Sequence, residues 1–244
     1  MSSPRTRRRT AAPSERVRVR RVHEKASYER DAVKAILDEA LVAHVGFVHD
    51  GAPLVIPTLH ARLGEELYIH GSSASRTLRT LAGTVPVCIT VTLLDGMVFA
   101  RSMFEMSVNY RSVVVVGEAR PVTDPEEKLR ALEAFSEQVL PGRWADARQP
   151  TRKELKATAV LALSLDEASA KISAGGPDDG ESEDAALDVW AGHLPIRLVA
   201  GEPVPCPHLR PGIALPEDIA DYQRRLGRNG QSELTAGRSA GSEP

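Results

Sequence analysis

The chain has 244 residues, of which 42% are hydrophobic, 4% aromatic and 26% charged, with a formal net charge of −2. That length holds one generous domain with tails, and the composition describes a globular protein with an aliphatic core. It excludes a membrane-spanning helix, because the run Val113–Val116 is only strand-sized, and Cys88 and Cys206 lack a metal-ligand spacing.

The small net charge hides an asymmetry. Residues 1–25 carry nine Lys/Arg against two Glu, leaving 22 bases and 31 acids for the rest. Arg5, Arg7, Arg8, Arg9, Arg16, Arg18, Arg20 and Arg21 could touch nucleic acid or an anionic surface. No aromatic interleaving or nucleic-acid module accompanies them, so the pattern favours a solvated arm over nucleic-acid binding. No hydrophobic segment follows the basic start, so no secretory signal is expected and the cytoplasm is the expected location.

Residues 1–27 therefore read as a flexible basic arm. Ser27 is a plausible N-cap, and Val33, Ile36, Leu37, Ala40 and Leu41 recur at helical spacing between Tyr28 and Leu41. A strand over Val42 to Val48 meets Asp50-Gly51, a hairpin signal, and Leu54 to Leu63 returns. On that returning strand Val55, Leu59, Ala61 and Leu63 share one face, and Ile56, Thr58, His60 and Arg62 the other. After a turn at Gly64, a short strand over Leu67 to His70 completes a meander.

The next stretch, Gly71-Ser72-Ser73-Ala74-Ser75-Arg76, is a strand turning into a helix whose first turn has little bulk. Its backbone N–H groups, the helix dipole and Arg76 could receive a phosphate. The plainer alternative is a serine-capped helix with a solvated arginine. Leu78 and Leu81 bury that helix, and Gly83 ends it. Val85 to Leu94 alternates as a strand, and Asp95-Gly96 predicts a second hairpin with Met97 to Arg101. Tyr110 to Arg120 is a strand, Asp124-Pro125 starts a helix with Leu129, Leu132, Phe135 and Val139 on its buried stripe, and Thr158 to Leu165 is the last strand. The acids from Asp178 to Asp188 do not fit a calcium loop and read as a solvated linker. About seven strands, three helices and no βαβ rhythm favour an antiparallel barrel.

Common catalytic motifs are missing: there is no Gly-x-Ser-x-Gly elbow, phosphate-binding P-loop, dinucleotide fingerprint or His-Glu-x-x-His. His44, His60 and His70 fall on three neighbouring strands, where a polar face could line a ligand site.

Several segments together resemble the pyridoxamine 5'-phosphate oxidase-like family of flavin-binding split barrels, in its branch related to nitroimidazole reductases. They are Ala43-His44-Val45-Gly46-Phe47-Val48, Ile56-Pro57-Thr58, Tyr68 through Arg76, Asn109-Tyr110-Arg111-Ser112 with the following valines, Ala168-Ser169-Ala170-Lys171, and Trp190-Ala191-Gly192. The resemblance spans roughly residues 28–200. It implies a mainly β fold with a few helices, a six-stranded antiparallel split β-barrel, and FMN bound at a homodimer interface.

It also implies that Ser75 and Arg76 hold the FMN phosphate, with Gly71 and Ser72 at the same turn. Oxidases of the family follow that arginine with lysine, whereas this chain has Thr77. Thr58, His70, Thr90 and Asn109 would border the ring and ribityl chain. Arg111, Ser112 and Trp190 are similar in position to contacts supplied by the opposite subunit, although Trp190 reads equally as an anchor for the C-terminal extension. Close relatives read Phe-His-His-Ser-Met-Asn-Tyr-Arg-Ser where this chain has Glu105 and Met106 in place of both histidines. Glu105 is then the candidate acid/base, or simply an exposed loop acid with Met106 filling an apolar gap.

The expectation is an FMN-dependent oxidoreductase acting on a small molecule, with no metal and no membrane contact. The alternatives are a haem-handling protein on the same barrel, with His44, His60 or His70 as ligand, and a non-catalytic ligand-binding module. The expected layout is an arm over 1–27, the flavin-binding barrel over 28–172, a C-terminal extension over 173–200 that packs on the barrel or the partner subunit, and a loosely ordered tail over 201–244.

Overall fold

The computed structural model describes residues 11–83, 85–220 and 222. Arg5, Arg7, Arg8 and Arg9 of the basic arm, and the tail beyond residue 222, lie outside the described residues. The chain divides into two compact units, one of Met1–Leu93 with Asn109–Gly175, the other of Leu94–Val108 with Gly176–Pro244.

The first unit is built on antiparallel strands. They are β1 (Ala26–Ser27), β2 (Val42–His49), β3 (Ala52–Leu63), β4 (Glu66–Ser72), β5 (Pro86–Phe99), β6 (Ser107–Glu118), β7 (Arg120–Pro121), β8 (Thr158–Ser164) and β9 (Ala168–Ser173). Their order is β1-β9-β6-β5-β2-β3-β4-β8-β7, and β10 (Gly192–Pro195) pairs with the end of β5 inside the second unit. The fold is thus mainly β with a few helices, as expected. The strand count exceeds six because β9, the two-residue edges β1 and β7, and β10 were hidden from a hydrophobicity reading by their small or polar residues.

The two Asp-Gly pairs take different fates. Asp50 and Gly51 adopt φ of 50° and 77°, the left-handed pair of a tight hairpin turn, and His49 faces Ala52 across it. Asp95-Gly96 makes no turn, and β5 runs straight through it. Gly96 pairs with Pro195, and a Cβ at Gly96 would sit 2.9 Å from the Leu194 carbonyl oxygen, so glycine serves close strand approach there.

The barrel interior is aliphatic. Val45, Ile89, Val113, Leu161 and Leu163 from the strands meet Val33, Ile36 and Leu37 of α1 (Arg30–Glu39) and Leu78 and Leu81 of α2 (Arg76–Leu81). A second cluster on the outer side joins Ala61, Tyr68 and Val160 to Ala131 and Phe135 of α3 (Pro125–Val139). α3 begins as its sequence demands: the Asp124 carboxylate accepts from Glu127 N–H at 2.9 Å and Pro125 occupies the first helical position.

The last turn of α1 is a junction. Gln138 of α3 donates to the carbonyls of Asp38 (2.9 Å) and Ala40 (2.8 Å), and His60 of β3 reaches Leu37 O at 3.0 Å. Arg62 grips the Asp38 carboxylate at 2.7 and 2.6 Å. Arg111 of β6 makes a two-pronged ion pair with buried Glu39, with one contact at 2.8 Å. Cations and donors at a helix C-terminus satisfy its orphan carbonyls and offset its dipole.

From residue 11 the N-terminal arm is tied to this unit. Val17 is buried, Arg16 pairs with Glu167, Val19 N–H donates to the Tyr28 hydroxyl at 2.9 Å, and Lys25 donates to Ser173 at 3.0 Å. Tyr28, Glu167 and the polar groups of β9 supply partners that a composition argument does not show.

Within the second unit, Arg101 holds the buried Asp179 carboxylate through its backbone N–H at 2.6 Å and its guanidinium at 2.8 Å. The acidic stretch read as a solvated linker therefore contains a buried anchor, stabilised by a charge-assisted pair. Cys88 and Cys206 are both free. Among the described residues no helix is long and apolar enough to cross a membrane.

Candidate functional site

The β4–α2 turn combines a cap, a cavity and an exposed cation. Ser75 is the N-cap of α2, its hydroxyl accepting from Leu78 N–H at 3.5 Å and its carbonyl from Arg79 N–H at 3.1 Å. The turn also uses its own amides. Ser73 N–H donates to Ala157 O at 2.8 Å, Ala74 N–H to the Ser72 hydroxyl at 3.2 Å, and Ser75 N–H to Ser72 O at 2.9 Å.

The cradle of free amides expected before the helix is thus largely occupied by the protein itself. Among the described residues, the N–H groups of Arg76 and Thr77 and the exposed Arg76 guanidinium have no protein partner. These are the donors left for an anion, as the first turn of any helix leaves some unsatisfied.

Beside the turn lies a cavity of about 120 Å³. Thr58, Ser75 and Thr77 line it together with Ile56, Pro57 and Leu78. His70 and Gly71 border it too, so Thr58, His70, Gly71 and Ser75 of the expected set share one cavity, and Ser72 and Arg76 flank it in the turn. Thr77 was legible only as a missing lysine, yet its side of the helix forms a wall.

Other expected residues are engaged elsewhere in the same unit. Thr90 donates to Val113 O at 3.0 Å, Asn109 donates to Gly175 O at 2.9 Å, and Ser112 donates to Lys171 O at 3.4 Å. Arg111 is bound to Glu39 as described. None of these four lines the cavity. Glu39 is the partner that sequence reading missed, since it precedes Arg111 by 72 residues.

The second unit holds Glu105 and Trp190. Glu105 ends a short turn over Met103–Glu105 that is capped by Ser102, whose hydroxyl accepts from Phe104 N–H at 3.1 Å. Its carboxylate is half-buried and, among the described residues, unpaired. Met106 fills no gap: it is exposed, and its sulfur accepts from Ala100 N–H at 3.3 Å. Trp190 is exposed and stacks at an angle near Phe99.

The three histidines separate by environment. His60 is 1% exposed. Facing a carbonyl, its Nε2 must carry the hydrogen, which leaves Nδ1 as a buried atom without a partner among the described residues. The His70 ring packs 4.2 Å from that of Phe135, and its Nδ1 is likewise buried and unpartnered there. Burial pushes both imidazoles below their ordinary value, so both are neutral near pH 7. His44 lies exposed on β2, beside Pro57 and Thr90. Among the described residues, no group of three or more His, Cys, Asp or Glu is placed to hold a metal ion.

Comparison with known proteins places this geometry. Residues 29–172 match the pyridoxamine 5'-phosphate oxidase family. The flavocytochrome Anf3 from Azotobacter vinelandii is 43% identical, with a TM-score of 0.83, over 89% of this chain and 100% of that one. The FAD and haem binding protein from Mycobacterium smegmatis is 40% identical, with a TM-score of 0.78, over 82% of this chain and 98% of that one. A protein from Bacteroides thetaiotaomicron, described in connection with 5-nitroimidazole antibiotic resistance, shares the fold at 21% identity and a TM-score of 0.51, over 60% of this chain and 86% of that one. No curated protein matches the chain.

Proposed function

The chain belongs to the pyridoxamine 5'-phosphate oxidase family, and we propose that it is a flavin-binding oxidoreductase acting on a small molecule. The observation that carries this reading is the unpaired Arg76 beside the small cavity at the start of α2.

The residues present fit a flavin. Arg76, with the free N–H groups of Arg76 and Thr77, would hold a phosphate of about two negative charges by charge-assisted hydrogen bonds. Thr58, Ser75 and Thr77 offer hydroxyls, and Ile56, Pro57 and Leu78 offer apolar walls. This donor set reads the phosphate that FMN and the FMN half of FAD have in common. When bound, the flavin supplies hydride or electron transfer, and the protein orients it. Glu105, unpaired in its turn, is the residue proposed to hold or accept a proton.

A homodimer completes this reading. Val42, Val48, Val55 and Pro57 share the outer face of β2 and β3, and Val55 is 63% exposed. A second copy covering that face would remove apolar surface from water, worth roughly 25 cal/mol per Å².

A second cofactor is favoured by the two relatives that match nearly end to end, one a flavocytochrome and the other a FAD and haem binding protein. We propose that this chain also binds haem. Of the three histidines considered, His60 is buried, His70 is half-buried with its Nδ1 enclosed, and His44 is exposed on the same face of β2 as Val42 and Val48. His44 is thus the most accessible imidazole, and a haem there would lie at the proposed dimer face. An absorbance spectrum of the purified protein tests both cofactors. The proposal expects a two-banded flavin spectrum, with a Soret band on addition of haemin. A colourless protein that takes up neither would overturn it.

A further inference from the structure

The first unit holds a cavity for which the flavin reading has no use. It measures about 290 Å³, against about 120 Å³ for the one beside α2, and shares no lining residue with it. Small-molecule sites run from roughly 300 Å³ upward, so this one suits a compact ligand. Three elements build it: the N-terminal arm at Ala11 and Pro13, the entry to α1 from Tyr28 to Asp31, and the turn between β8 and β9 at Leu165 and Asp166. Val33, Leu165 and Ala168 bring the core to its wall, none of them more than 4% exposed.

The arm is fixed where it borders the cavity. Arg16 Nε donates to Glu167 at 2.7 Å, and Val19 N–H donates to the Tyr28 hydroxyl at 2.9 Å. Val17, between them in sequence, is buried. The Ser14 hydroxyl oxygen, next to the lining residue Pro13, is enclosed and has no partner among the described residues.

The charge of the lining selects its ligand. Glu29, Asp31 and Asp166 stand against one cation, Arg30. That cation is already engaged. Arg30 donates to Leu165 O and to the Asp166 carboxylate at 3.0 Å, and it lies 3.6 Å from Glu65. Asp31 is exposed and, among the described residues, has no protein partner. The first turn of α1 offers backbone N–H groups, but Glu29 at the N-cap and Asp31 behind it offset the helix dipole there. An anion would meet an excess of carboxylate, whereas a cation finds that excess beside an aromatic ring, Tyr28.

We propose that this cavity binds a small organic cation, a primary ammonium ion with an apolar body. Asp31 and the Tyr28 ring meet the ammonium group, and Val33, Leu165 and Ala168 meet the body. The inference uses no residue assigned to flavin or haem and stands apart from that reading.

Isothermal titration of the full-length protein with benzylammonium, benzyl alcohol and benzoate tests it, since the three share a ring and differ in charge. Benzylammonium is expected to bind saturably and about tenfold or more tighter than benzyl alcohol, as for an added charged hydrogen bond, with benzoate not bound. Asp31→Asn is expected to remove about tenfold of the benzylammonium affinity and leave that for benzyl alcohol unchanged. Ala11→Phe, at an exposed position of the lining, is expected to weaken both by adding bulk. Thermal melts check that both variants fold, and their flavin affinity should match the parent.

Absence of saturable benzylammonium binding would overturn the inference, as would equal affinity for all three probes. Benzylammonium affinity unchanged in both variants would overturn it too. So would displacement of benzylammonium by FMN, which would put the amine in the cavity beside α2.

Discussion

Two polar regions of the barrel unit are built to opposite plans. At the end of α1, every donor and charge described above finds a protein partner: Gln138 and His60 on the carbonyls, Arg62 on Asp38, Arg111 on Glu39. At the start of α2, Arg76 stands exposed, and its N–H and that of Thr77 meet no partner among the described residues. The contrast separates arginines that hold the fold from an arginine left for a ligand. It also distinguishes two arginines that look alike in the chain, since Arg111 is paired with Glu39 and Arg76 is exposed.

The largest effect belongs to the closed region. Glu39→Ala removes the buried carboxylate that Arg111 holds through two contacts and is expected to cost about 3–5 kcal/mol of stability, as for removing one partner of a buried pair. Urea denaturation checks this, and a loss near zero would mean that the pair is worth no more than a surface contact. Arg76→Ala should do the reverse. Its stability should stay within about 0.5 kcal/mol of the parent, as for an exposed side chain, while flavin affinity falls by about 2–3 kcal/mol. Thermal melts and flavin titrations of one preparation separate the two effects.

Gln138→Ala removes a side chain shared among carbonyls and should cost about 1–2 kcal/mol, read by the same denaturation curves. The smallest effect is a slope with pH. Burial holds His60 and His70 below the ordinary value of 6.5, so the unfolded chain binds protons that the folded chain refuses. The stability that depends on neutral imidazoles is fully present above 6.5 and declines as pH falls below it. Urea midpoints at pH 7 and pH 5.5 should show the decline, and His60→Gln should flatten it.

Local rules carried much of the fold. Asp50-Gly51 was legible because a two-residue turn depends on its own φ angles, and Asp124-Pro125 because a cap depends on the next three residues. The identical signal at Asp95-Gly96 failed because the reason for that glycine is Leu194, a strand partner far along the chain. The same limit applies to the site. Ser75 and Arg76 announce a capped helix with a cation within a few residues, but nothing near Arg111 in sequence reveals Glu39. Strand alternation puts His60 on one face of β3 with Thr58 and Arg62. The end of α1 then covers it, and alternation along one strand cannot show what lies above it.

The central claim is that the start of α2 recognises a phosphate through Arg76. The most direct measurement compares the affinity of the purified apoprotein for FMN with that for riboflavin, which lacks the phosphate, in the parent and in Arg76→Ala. The parent should prefer FMN, and the variant should lose about 2–3 kcal/mol of that preference, roughly 30- to 150-fold, with riboflavin binding unchanged. An Arg76→Ala protein that keeps the full preference for FMN would contradict the account.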